Sequence, residues 1–188
     1  IGEKDYKKLV KAAERFGYQA SRVENLVIEA GYTTQLHFRL TFLPGGTVQG
    51  RVREEGTGAV VPAVVTLAGI DEVIAMGADG SYQVRVPVGS YTVRARPSGA
   101  GHRGEQSAVL HVAEGASVTA DLTLRRAPRL LLVEADAWAL SGQVRRYYQA
   151  SLDELLLGYD VTSIEDPPHD TPTAGGLATY SAVIWAQP

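Results

Sequence analysis

Catalysis requires titratable or nucleophilic side chains brought together, and few stretches of this sequence offer them. Glu134 and Asp136 close the apolar run Leu130-Leu131-Leu132-Val133, and Glu165 and Asp166 follow Ile164. If both runs are parallel strands, these carboxylates share the carboxyl end of one sheet, where open α/β folds bind ligands. Oxygen donors of this kind suit Mg2+, which makes Glu134 and Asp136 the weak metal candidates. The competing expectation is a solvated acidic rim. A phosphate receiver would also want an aspartate after the third strand, where Ala186-Gln187 stands instead. The histidines, His37, His102, His111 and His169, include no pair at ligand spacing, and no serine lies in a Gly-x-Ser-x-Gly elbow. The absence of cysteine removes thiolate zinc sites, a cysteine nucleophile and a disulfide scaffold together. No catalytic residue and no cofactor is therefore predicted. Asp79-Gly80 lacks the D-x-D-x-D-G pattern of a calcium loop and reads as a turn. Tyr82 and Tyr91 are rings on which a sugar could stack, but their places in alternating runs predict core positions.

The elements that must position these residues change character along the chain. From about Gly45 to Arg125 short strands come in close succession: Val48, Gly50 and Val52 alternate with Thr47, Gln49 and Arg51, and Tyr82, Val84 and Val86 with Ser81, Gln83 and Arg85. Tyr91, Val93 and Ala95, then Leu110 and Val112, then Val118, Ala120, Leu122 and Leu124 continue the pattern, and Ala63 to Leu67 is a β-branched run. Turn signals separate them, among them Ala78-Asp79-Gly80-Ser81, read as a type I′ hairpin, and Val88-Gly89-Ser90. About seven such strands predict a small antiparallel β-sandwich. Before Gly45, an offset of 85 lays Tyr6 on Tyr91, and one of 84 lays Leu26 to Gly31 on Leu110 to Gly115 and Leu36, Phe38 and Leu40 on Ala120, Leu122 and Leu124. Residues 1–43 are thus expected to be the C-terminal part of a preceding sandwich repeat, in strands, although Tyr6, Leu9, Val10, Ala13 and Phe16 have helical spacing. From Pro128, a continuous apolar strand, a helix with Val144, Tyr148, Leu152 and Leu155 on one face and Gly158 as left-handed cap, and further strands at 159–164 and 182–185 predict βαβαβ with parallel pairing. The predicted domains are 1–43, 44–126 and 127–188, the last being the first half of an α/β domain. With Ile1 first and Pro188 directly after an apolar run, the whole reads as a piece of something longer.

The chain of 188 residues is 45% hydrophobic and 21% charged, ordinary for a folded globular protein. Its net charge is −3, and residues 128–188 hold three basic against eight acidic groups. No basic stripe exists to hold phosphates, so nucleic acid is not expected as a partner. No apolar run reaches the roughly 18 residues of a membrane span. Only four of the 18 basic residues are lysine and Asn25 is the sole asparagine, which fits a GC-rich genome and thermal adaptation equally.

Gly50-Arg51-Val52, Thr57-Gly58, Ala63 to Leu67, Asp79-Gly80-Ser81-Tyr82 and Gly89-Ser90-Tyr91-Thr92-Val93 together resemble the carboxypeptidase regulatory-like domain. That resemblance implies a transthyretin-like (Ig-like) β-sandwich in which Gly50, Asp79, Gly80, Tyr82, Gly89 and Tyr91 are structural. It also implies a non-catalytic accessory module of secreted or cell-surface proteins, with a signal peptide outside this chain. Phe16-Gly17-Tyr18 is similar to the Gly-Tyr that ends one strand of this family, a place that Gly101-His102 holds in the second copy. The closing segment, Leu130 to Asp136 with Tyr147-Tyr148, Gly158-Tyr159-Asp160-Val161 and Val183-Ile184-Trp185, resembles a flavodoxin-like α/β domain of the class I glutamine amidotransferase type. Such a domain comes after these sandwiches in large bacterial subtilisin-like serine peptidases. The resemblance implies neighbouring domains of the same polypeptide as partners. A glycan or protein ligand of the sandwich, and a hydrolase whose site lies beyond Pro188, are the alternatives.

Overall fold

Strands dominate the computed structural model, which describes residues 7–28, 31–68, 70, 73–135, 142–165 and 171–186. The first of them are β1 (Lys7–Ala13), β2 (Tyr18–Gln19), β3 (Ser21–Ile28) and β4 (Thr41–Phe42). Strand, not helix, therefore forms where the apolar spacing was helical, because β3 supplies β1 with an antiparallel partner. The register departs from the predicted offset. Leu9 faces Leu26, whereas transfer of the later Tyr91–Leu110 pairing at offsets of 85 and 84 would place Tyr6 there. Leu36, Phe38 and Leu40 keep their alternation, half-buried against exposed Gln35, His37 and Arg39, yet form no strand. Alternation makes a strand only when a neighbour accepts its main-chain hydrogen bonds, and none among the described residues does. Gly17 likewise does not end a strand. It turns the chain at φ +84, and its carbonyl accepts from Leu43 N at 2.8 Å. On either side Phe16 meets Tyr91 edge-on at 6.3 Å and Tyr18 meets Phe42 at 5.0 Å, and the first of these contacts anchors the segment beside the strand that holds Tyr91.

The sandwich is built from β5 (Gly45–Glu54), β6 (Ala63–Leu67), β7 (Val73–Ile74), β8 (Ser81–Pro87), β9 (Gly89–Tyr91), β10 (Val93–Pro97), β11 (His102–Arg103), β12 (Glu105–Gln106), β13 (Leu110–Val112), β14 (Ser117–Thr119) and β15 (Leu122–Arg126). One sheet runs β12-β10-β6-β7. The other runs β11-β15-β5-β14, with β8 on the far side of β5, and β9 pairs β13 separately. Val48 and Val52 of β5, Val65 and Leu67 of β6, Val86 of β8, Val93 and Ala95 of β10, and Leu122 and Leu124 of β15 fill the space between, all nearly or fully buried. The inward period-two positions thus form a core, as predicted. Strand direction differs: β14 and β15 run parallel to β5, so the sheet is mixed rather than wholly antiparallel. Alternation reports which face a side chain takes and carries no information on direction.

Beyond the sandwich come β16 (Leu130–Ala135), α1 (Gly142–Glu154), β17 (Tyr159–Ile164), α2 (Ala174–Leu177) and β18 (Ala182–Ala186). They form a parallel sheet of order β17-β16-β18. Leu132 of the central strand packs with Leu152 of α1 on one face, and Leu131 and Val133 pack with Ile164 on the other, with Leu177 and Tyr180 against them. Burial on both faces explains why Leu130 to Val133 is apolar without alternation. The predicted cap is displaced. Leu156, at φ 56, takes the left-handed position after α1, while Gly158 is needed for space: a Cβ there would collide with the carbonyl oxygen of Gly99.

Candidate functional site

Gly50 and Tyr82, far apart in the sequence, turn out to be one device. Given the parallel register, the Arg51 amide would ordinarily bond the Ala120 carbonyl. Instead Tyr82, 3% exposed, reaches across the sheet and its hydroxyl donates to that carbonyl. The displaced Arg51 amide donates to Asp121 Oδ1 at 2.8 Å. Any Cβ on Gly50 would collide with the Ala120 oxygen and lie 2.8 Å from the Tyr82 hydroxyl. Burial, then the negative charge of Asp121, pushes the Tyr82 phenol up to about 12.

Asp79 and Gly80 form the turn into β8. Gly80 N donates to Gly77 O at 3.0 Å and Gly77 N to Ser81 O at 2.7 Å, with only Gly80 at positive φ, +81. This is a type I turn closed by a left-handed glycine, not the predicted type I′, which needs two positive φ values. The Asp79 carboxylate accepts from Ser81 Oγ at 2.6 Å and Ser81 N at 3.1 Å, and these bonds hold it below its ordinary value. Gly89 lies beneath the Tyr91 ring, whose hydroxyl donates to Pro87 O at 2.9 Å. Burial raises the Tyr91 phenol.

One polar cluster is centred on a residue that the sequence does not single out, Glu54, although two of its partners, Thr57 and His102, are named there. Glu54, 8% exposed, accepts from Thr57 Oγ1 at 2.5 Å and from Arg126 Nε at 2.7 Å, and lies 3.1 Å from His102 Nε2. Arg126, Thr57 and His102, in that order, bring its carboxyl down to about 2. The signal was present, since Glu54 extends the inward series Val48, Gly50, Val52. At the other end of the chain Glu134, 6% exposed, is held by Arg145 and by Ser163 Oγ at 3.0 Å. A carboxylate so engaged would have to give up a cation to bind a metal. Asp136, Asp166 and His169 lie outside the described residues, and among the described ones no three acidic, histidine or cysteine side chains gather as metal ligands. His111 Nδ1 lies 2.9 Å from Ser90 Oγ, and His37 is exposed on the 32–40 segment.

The outer face of the β5 sheet carries a cleft of about 600 Å3 lined by Gln49, Arg51, Ser81, Gln83, Thr119 and Asp121. Thr119, Gln49 and Gln83 form one row across three strands by register.

Residues 47–125 match the family model of the carboxypeptidase regulatory-like domain. No curated protein matches the chain. Among solved structures, the Bacillus anthracis TIE protein is similar at 15% identity and TM-score 0.37, over 69% of this chain and 28% of that one. Phospholipase PlaB from Legionella pneumophila gives 8% and 0.34, over 62% and 28%. A DUF3823 family protein from Parabacteroides merdae gives 18% and 0.28, over 46% and 47%. The chain spans under a third of the first two and about half of the third.

Proposed function

We propose that this chain is a non-catalytic accessory region whose β-sandwich spaces and presents neighbouring domains of a secreted bacterial protein, a subtilisin-like serine peptidase in the fullest form of the reading. One observation carries it: the polar groups of the family motif are spent on the fold, with the Tyr82 hydroxyl on Ala120, the Asp79 carboxylate on Ser81 and the Tyr91 hydroxyl on Pro87. The match to a regulatory-like domain over 47–125 supports the same reading. Residues 1–43 as the end of a preceding sandwich, and 127–188 as the first half of a glutamine-amidotransferase-like α/β domain, belong to it. The test is the reading frame on both sides of Ile1 and Pro188, joined to a hydrolysis assay on the purified chain. An Asp, His and Ser set in subtilisin motifs upstream, with no hydrolysis by the chain alone, is the expected result. Flanks holding only sandwiches and a surface anchor would sink the peptidase link.

The second reading is a binding module, and the cleft on the β5 sheet favours it. Gln49, Gln83 and Thr119 offer amide and hydroxyl groups in one row, with the Arg51 guanidinium and Asp121 beside them. Such a lining suits a neutral polyhydroxylated ligand. A glycan array probed with the chain and with Gln49→Ala/Gln83→Ala would find it.

A further inference from the structure

Successive domains of one chain move relative to each other unless something more than a loose polar interface joins them. Here the main chain itself crosses the boundary. Arg103 of β11 pairs with Leu157 as an antiparallel bridge, flanked by Gly104 N donating to Leu156 O at 2.6 Å and Gly158 N donating to His102 O at 2.9 Å. Because β11 is already laddered to β15, the hydrogen-bonded network of the sandwich runs directly into the segment after α1. The close approach demands glycine at Gly158, where a Cβ would collide with Gly99 O of the sandwich; Gly104 is needed within the sandwich itself, where a Cβ would collide with Ala95 O of β10.

Side chains surround this ladder. Asp160 Oδ1 accepts from Ala100 N of the sandwich at 2.9 Å, while Oδ2 accepts from Tyr180 at 2.8 Å and from Arg129 of the connector at 3.4 Å. One carboxylate thereby ties three parts of the chain. Arg96 of β10 reaches over to Asp153 of α1 at 3.0 Å and lies 5.6 Å above the Tyr159 ring.

We infer that the 97–104 edge of the sandwich is a dedicated docking surface for the α1–β17 corner, so that the two segments form one cooperative body with a fixed orientation. This deepens the accessory reading by supplying its mechanism, presentation at a set angle instead of on a tether. It stands or falls separately, because hydrolysis and ligand binding are read by other assays.

The chain has no cysteine, so Val73→Cys with Tyr147→Cys, both exposed in the structure at 66% and 74%, would place two spin labels alone, one on each segment. Electron–electron distance measurement on the full chain should give one narrow distribution, and calorimetry one transition. Gly158→Val, and separately the milder Asp160→Ala, should broaden the distribution and split the transition in two. A broad distribution in the parent chain would overturn the inference, as would a narrow one that both substitutions leave unchanged. Should either variant fail to fold, the parent distribution and the other variant decide.

Discussion

At the level of single residues, the sandwich depends on a glycine and a tyrosine that are useful only together. Tyr82 satisfies a buried carbonyl that the parallel ladder leaves open, and Gly50 clears its path. Tyr82→Phe leaves the Ala120 carbonyl without its donor, and a buried unpaired group costs about 1–3 kcal/mol. Gly50→Ala forces backbone to move, with an expected cost of about 2–3 kcal/mol by analogy with overpacked cores. Urea denaturation of both single variants and the double should show costs that do not add, since the two changes act on one hydroxyl. Gly80 is constrained twice, by φ +81 and by Val52 O at 2.7 Å from any Cβ. Gly80→Val is expected to cost about 1–3 kcal/mol, read in the same denaturation experiment. Gly50, Gly80 and Tyr82 all stand in motifs of the sequence. The motifs could not say why Gly50 goes with Tyr82, because the reason is a pinch between strands brought together only by the fold.

Among elements, the sequence was most legible where one physical constraint acted alone. Inward and outward faces of β5, β8 and β10 follow from alternation, and the unbroken apolar β16 from burial on both faces. Segments governed by two constraints were less legible. Lys7 to Ala13 has helical spacing but lies in a hairpin, and Leu36 to Leu40 alternates but has no neighbour to bond among the described residues. Glu54 was hidden because a carboxylate at the end of a strand reads as surface, whereas β5, the turn at Thr57 and β15 close over it. Its charge has a consequence for acid stability. The folded carboxyl sits at about 2 against an ordinary 4.5, so the unfolded chain binds the proton more tightly. The stabilisation is complete above about pH 4.5 and is lost as pH falls towards 2. Asp160 adds in the same direction: burial raises its carboxyl, but the Ala100 amide, Tyr180 and Arg129 together bring it below the ordinary value. Melting temperature is expected to fall along the acid limb, and Glu54→Gln should flatten that limb while lowering stability at pH 7. An unchanged limb in the variant would show that Glu54 is not the titrating group.

For the molecule as a whole, the decisive asymmetry lies between a closed sandwich and an open α/β sheet. The core of the sandwich is covered by two sheets, and β7, β11, β12 and β14 at their ends are only two or three residues long, which leaves β8 as the one long edge among the described residues. In the three-stranded sheet, β16 has a neighbour on each side, while β17 and β18 each have only one among the described residues. Val161 on β17 and Trp185 on β18 are 44% and 42% exposed beside those edges. Unpaired main-chain groups flanked by apolar side chains form a template for another strand. What opposes pairing between copies is charge, because residues 128–188 hold three basic and eight acidic groups. Repulsion of that kind is screened within about 8 Å at physiological salt. The purified chain is therefore expected to associate with rising concentration, and more strongly as salt is added. Val161→Lys and Trp185→Lys should each lower the apparent mass in light scattering at a fixed high concentration, since lysine on an edge discourages pairing. Association that weakens with salt would assign the contact to opposite charges instead. A mass independent of concentration, salt and both substitutions would mean that these edges template nothing, and that the exposed Trp185 is tolerated as an isolated apolar surface residue.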